Sequence, residues 1–355
     1  MLRFRLKTLN TGEVTPDVLA AWELATFFLG EASPSVLPID PDSAREWYIE
    51  TIVDATSRED YRAEPQMADD ELAEDFANSL KRLTDSRVKK LAEHYPFSLD
   101  PNGHLVRKNS EHLSAVGASY IALQFFRAVN GGTVEIDDVS EAEITRKQDA
   151  FNDIFRKIFE YIAGYAVAGK REGAPFMTSE CRSAQRLEVL LKILCRKVGA
   201  GTVLPFDNWN GPQRATNDGG VDCLAHIGGP EMPGDAHIIL VGATVQRNRI
   251  DGKIMGPEKL DFMGSFFSER PAAFQGALVR PQDEDALTKE KCIQKNCLLF
   301  SYDQIWHGMG KRNKGRYQSG MLKRLDVKAR KLLRQFLDVK FLHEYDEYDI
   351  EAIGT

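Results

Sequence analysis

Asn217-Asp218-Gly219-Gly220-Val221-Asp222-Cys223-Leu224-Ala225 sets a tight turn against an apolar strand. Two adjacent glycines let the backbone turn sharply, and Asp222 then opens the strand. A carboxylate at a strand start, beside a flexible turn, is placed to hold a divalent cation through oxygen. The run that follows, His237 to Gln246, is mostly apolar and reads as a buried neighbouring strand. Gly228-Gly229-Pro230 separates the two. Upstream, helical periodicity predicts helices over 142–167 and 181–198 and a short strand over 202–206. Downstream, further helix leads to another strand over 297–302. Helices alternating with short apolar strands make a mixed α/β layer. Four strands are too few for a full dinucleotide-binding sheet, and no G-x-G-x-x-G follows any of them.

The first ~145 residues read differently. Thr15-Pro16 starts an amphipathic helix over 18–29, and further helical stretches are expected at 42–52, 69–83 and 110–129. Asn130-Gly131-Gly132 ends the last of these, and Thr133 to Ile136 could be a strand or part of a linker. With 355 residues, two domains are expected: a helical N-terminal domain over 1–140 and an α/β domain over 141–355.

Charge is segregated along the chain. The net −7 conceals thirteen acidic residues between Asp40 and Asp75, and ten basic residues between Lys311 and Arg334 that face only Asp326. Such segregation can draw a polyanion to one surface while the rest repels it, although a basic run is also what a solvated helix face looks like. Lys311, Arg312, Lys314 and Arg316 are the candidate nucleic-acid contacts. No apolar run reaches the ~18 residues a membrane span needs. Met1-Leu2-Arg3-Phe4-Arg5 has no signal-peptide character, and five irregularly spaced cysteines form no disulfide framework. A cytoplasmic protein with reduced thiols is expected.

The order helix, strand, G-G-V-D strand, then a buried strand ending in polar residues resembles the PD-(D/E)xK, or restriction-endonuclease-like, nuclease superfamily over roughly residues 180–305. The resemblance implies a restriction-endonuclease-like mixed-sheet core behind the helical N-terminal domain. It also implies magnesium held by an Asp and a Glu or Gln, a lysine from the next strand that helps activate water, and a helical glutamate before the first core strand. Asp222 matches the central aspartate, and Glu188 in Arg186-Leu187-Glu188-Val189 stands as the helical glutamate. The E-x-K position departs from the pattern, with Val241 or Gly242 where an acidic or amide side chain is expected. A bacterial variant reads approximately Q-C-A-T-G with a displaced lysine, and Ala243-Thr244 with Lys253 resembles its remnants. Gln246 shares a strand face with Thr244 and is the candidate shifted ligand.

Each residue also has a structural explanation. Glu188 can pair with Lys192 one helical turn on, Asp222 can cap a turn, and Asp218 is a common turn former. Lys253 can be an ordinary loop lysine, Gln246 a strand-end residue, and Trp209 a loop anchor instead of a platform for a base. No H-E-x-x-H, G-x-S-x-G or P-loop is present. The function expected is a Mg2+-dependent DNA endonuclease of a prokaryotic restriction or anti-phage system. Its site would use Asp222, Glu188, Gln246 and Lys253, with Asp222, Glu188 and Gln246 on the metal. The alternative is a nuclease-fold subunit without catalysis that binds nucleic acid or scaffolds a defence complex with protein partners.

Overall fold

A computed structural model describes residues 3–6, 19–20, 23–24, 26–27, 66–99, 105–108, 114–130, 134–137, 141–170, 173–227, 236–245, 250–282, 285–310 and 318–336. Helices and a mixed parallel and antiparallel sheet make it an α/β chain. It divides into two compact units, Met1–Phe155 with Asp326–Thr355, and Arg156–Leu325. The boundary expected near 140 therefore lies further on, and the last thirty residues group with the N-terminal part. Neither cut carries a turn signal, because both fall inside continuous helices, Glu141–Lys170 and Gln318–Phe336. The units differ in charge. Residues 156–325 hold 25 Lys and Arg against 18 Asp and Glu, and the remainder holds 21 against 35.

The first unit is helical with small β ribbons. Helix α1 (Gln66–Leu91) and helix α2 (Ala115–Asn130) accompany helical, buried residues at 19–20, 23–24 and 26–27. Strand β1 (Arg3–Leu6) pairs antiparallel with β4 (Val134–Asp137), and β2 (Phe97–Leu99) with β3 (Leu105–Arg107). The expectation of a helical N-terminal domain thus needs these two ribbons added, and Val134–Asp137 is a strand where a strand or a linker was expected. The helix expected at 42–52 lies outside the described residues.

The second unit is built on a five-stranded sheet in the order β11-β10-β8-β7-β5. Its strands are β5 (Ala174–Phe176), β7 (Cys223–Ile227), β8 (His237–Ala243), β10 (Ala273–Val279) and β11 (Cys297–Phe300). Neighbours β5, β7 and β8 run antiparallel, whereas β8, β10 and β11 run parallel. Helix α3 (Glu141–Lys170) precedes the sheet. Helix α4 (Ala184–Val198) follows β5, with Ser183 accepting from the Arg186 N–H at its start and Gly199 left-handed at its end.

Period-two alternation divides the strand residues between two faces. Leu224, Ile238, Leu240 and Leu278 join one core cluster with Leu187, Leu191, Leu194 and Val198 of α4. Truncating one such leucine to alanine costs about 2–5 kcal/mol. Cys223 points the other way, toward Gly164 of α3, where an added Cβ would stand 2.7 Å from its sulfur. The sheet is therefore covered on both faces.

Two strands of this sheet escaped the sequence pattern. β5 has three residues and contains Pro175, which is tolerated because β5 is an edge. β10 is weakly β-forming, Ala273-Phe274-Gln275-Gly276-Ala277. Gly276 is required there: a Cβ would meet the Met255 carbonyl oxygen at 1.8 Å. Thr202–Val203 (β6) does not join the sheet but pairs with β9 (Phe267–Glu269), and residues 206–208 turn into a 3-10 helix.

Candidate functional site

The turn before β7 is closed by its own side chains. Asp218 accepts from the Thr216 hydroxyl (3.1 Å) and the Gly220 N–H (2.7 Å), so it forms the turn. Gly219 and Gly220 take φ of +69° and +72°, values that glycine adopts without strain. The chain then reaches Asp222, whose N–H donates to the Val241 carbonyl at 3.0 Å and brings it to the end of β8.

Asp222 is 4 % exposed, and its carboxylate has charged and polar partners. The Ala243 N–H donates to Oδ2 at 2.7 Å. Lys253 Nζ lies 2.6 Å from Oδ1 and 2.7 Å from Oδ2. Lys253 sits in a 3-10 turn (Asp251–Lys253) that follows β8. The backbone of that segment runs directly over the sheet: a Cβ at Gly242 would stand 2.0 Å from the Lys253 carbonyl oxygen. The glycine found where the E-x-K pattern expects a larger side chain thus has a local reason. It lets the segment bearing Lys253 lie against β8 and reach Asp222.

A second carboxylate, Glu160, feels the charge of Asp222. It stands on α3, the helix that precedes the first strand of the sheet. Its pKa is raised above the ordinary carboxylate range, first by burial and then by the negative charge of Asp222. A hydrogen bond from Ser179, then Lys253 and Arg156, pull it the other way. Ser179 is tied to the same place, since its N–H donates to the Asp222 carbonyl at 3.2 Å. Glu160, Asp222, Lys253 and Ser179 therefore form one electrostatic cluster.

Glu188 has other partners. Its carboxylate takes the Lys192 ammonium at 2.6 Å and the Phe206 N–H at 3.3 Å, so it ties α4 to the following loop. Gln246, Lys311, Arg312, Lys314 and Arg316 lie outside the described residues. Val241 is fully buried and apolar, opposite Cys223 in the β7–β8 ladder. Trp209 is a loop anchor, 3 % exposed, donating to the Leu204 carbonyl at 2.9 Å and edge-on to Phe266. His226 is buried in β7, and burial lowers its pKa. All five cysteines are free thiols, four of them buried. Among the described residues no group of three or more His, Cys, Asp or Glu side chains could hold a metal ion, and no helix is long and apolar enough to cross a membrane.

Sequence reasoning missed Glu160 because Ile158-Phe159-Glu160-Tyr161-Ile162 looks like one solvated position on a long amphipathic helix. The missing signal was β5: with Ala174–Phe176 a strand, α3 precedes the first strand of the five-stranded sheet and α4 follows it.

Compared with known proteins, the chain matches no protein-family description, no curated protein and no solved structure.

Proposed function

We propose that this chain is a metal-dependent DNA endonuclease with a restriction-endonuclease-like core. One observation carries the reading: a lysine displaced beyond β8 reaches back to both oxygens of the aspartate that opens β7. The resemblance anticipated a displaced lysine of that kind. Further support comes from Glu160, which supplies a glutamate on the helix before the first strand of the sheet and senses the charge of Asp222.

A buried Asp222 beside a partly buried Glu160, whose pKa burial and the Asp222 charge raise, fits a divalent cation, whose charge would relieve that cost. Asp222 and Glu160 would hold Mg2+, which when bound polarises the phosphodiester and acidifies a water. Ser179 holds Glu160 in place through its hydrogen bond. Lys253 is more than a third exposed and carries a flexible stem, so it can leave Asp222 for the substrate. There its ammonium neutralises charge that builds on the phosphate oxygens as water attacks phosphorus and the bridging P–O bond breaks. The setting in a restriction or anti-phage system, with DNA and defence proteins as partners, follows from the resemblance of Ala243-Thr244 and Lys253 to the bacterial variant.

A second reading, a nuclease-fold subunit that binds nucleic acid without cutting it, draws on the buried Val241, which brings no oxygen to the site. Incubating supercoiled plasmid with the protein across a Mg2+ and Mn2+ series separates the two. Metal-dependent nicking that disappears in folded Asp222→Asn supports the nuclease. Retained DNA binding with no cleavage by the wild type supports the subunit.

A further inference from the structure

Helix α6 (Pro257–Gly264) lays two side chains one helical turn apart against the glycine turn that leads into Asp222. A Cβ at Gly219 would stand 2.5 Å from Met263 Cε, and a Cβ at Gly220 would stand 3.0 Å from Lys259 Nζ. Both glycines thus leave room for α6 side chains. Met263 is fully buried and belongs to the core cluster, so its place follows from packing. The ammonium of Lys259 has no packing reason to be there. It is half-buried, and among the described residues it has no ion pair and no hydrogen bond, although Asp218 is in the same turn. The carboxylate of Asp218 instead receives Thr216 and the Gly220 N–H. Its three donors are therefore open to water or to a ligand at this turn.

We infer that Lys259 contacts a phosphate of the nucleic-acid strand whose phosphodiester lies at Asp222, positioning that strand without taking part in bond cleavage. The inference rests on the nuclease reading. A point charge on a flexible stem suits a phosphate oxygen and reads no sequence. It lies against Gly220, two residues along the chain from the aspartate, where any larger side chain would crowd it.

The test is binding of a short fluorescent duplex DNA to full-length protein in Ca2+, across a salt series, for the wild type, Lys259→Gln, Lys259→Arg and Asp222→Asn. The expected result is about tenfold weaker binding by Lys259→Gln for every sequence, with the slope of log affinity against log salt shallower by about one. Lys259→Arg should keep wild-type affinity. In Mg2+, Lys259→Gln should raise KM for cleavage and leave kcat in place, as loss of uniform binding does. Unchanged affinity and slope in Lys259→Gln, with the wild type binding well, would overturn the role of Lys259 while leaving the nuclease reading standing. A wild type that binds no duplex at any salt would overturn the nuclease reading, and the inference with it. Thermal melts of each variant report whether any loss is one of folding.

Discussion

Among the described residues each unit buries one carboxylate deeply, and the two are treated in opposite ways. Glu23 in the first unit is 0 % exposed and receives Arg87 at 2.5 Å, Tyr95 at 2.5 Å, Tyr120 at 2.7 and 2.8 Å, and Gln124 at 2.8 Å. Its donors come from distant parts of the chain and are themselves buried, so the group is held on every side. Asp222 has one backbone N–H and one lysine that is 36 % exposed, and a second carboxylate close enough to be destabilised by it. A carboxylate that serves the fold is saturated with fixed donors. The one proposed for chemistry keeps a partner able to leave, and a neighbour whose pKa its charge helps to raise.

That contrast has measurable consequences. Glu23→Ala removes the buried carboxylate on which Arg87, Tyr95, Tyr120 and Gln124 converge, and should cost about 3–5 kcal/mol in urea unfolding. Asp222→Asn keeps an oxygen for the Ala243 N–H and lets Lys253 turn to water, so the lost pair should cost no more than about 1 kcal/mol. Equal losses in the two variants would erase the distinction.

Gly242→Ala should fall next. Its Cβ meets backbone, the Lys253 carbonyl oxygen, and cannot be relieved by a side-chain rotation. Forced displacement of a packed segment costs about 1–3 kcal/mol, and here it also moves Lys253 from Asp222. Cleavage should drop, as it should also in Lys253→Ala, whereas a variant that melts normally and cuts normally would remove the glycine from the account.

Glu160 gives the smallest effect on stability, and a signed one. Its pKa is raised in the folded chain, so the folded state binds its proton more tightly than the unfolded state does. Stability from this group is present at low pH and declines as pH rises from the ordinary carboxylate range through the raised value. Glu160→Gln should match the wild type in acid and be more stable than it at neutral pH without metal. Mg2+ affinity of the wild type should rise through the same window, because binding expels that proton. A pH-independent difference between the two proteins would contradict the assignment.

How much of this was visible in the sequence depends on the scale of the signal. The Gly219-Gly220 turn, the aspartate after it and the apolar β8 were legible because turn chemistry and strand hydrophobicity are local. So were the long helix near 142–167 and the pairing of Glu188 with Lys192. β5 and β10 were not, since Pro175 and Gly276 weaken the local preference and their pairing is decided by close backbone approach across the sheet. With β5 unseen, α4 reads as the helix before the first core strand, and Glu160 on α3 draws no notice. The meeting of Lys253 with Asp222 depends on a segment lying flat on Gly242, which is a tertiary fact.

Single-turnover cleavage of a labelled duplex in Mg2+, measured for the wild type, Asp222→Asn, Glu160→Gln and Glu188→Gln, tests the central claim most directly. Asp222→Asn should fall to background, Glu160→Gln should be severely slowed, and Glu188→Gln should cut at the wild-type rate. Full activity in folded Asp222→Asn, or a loss in Glu188→Gln with Glu160→Gln unaffected, would contradict a site built from Asp222, Glu160 and Lys253.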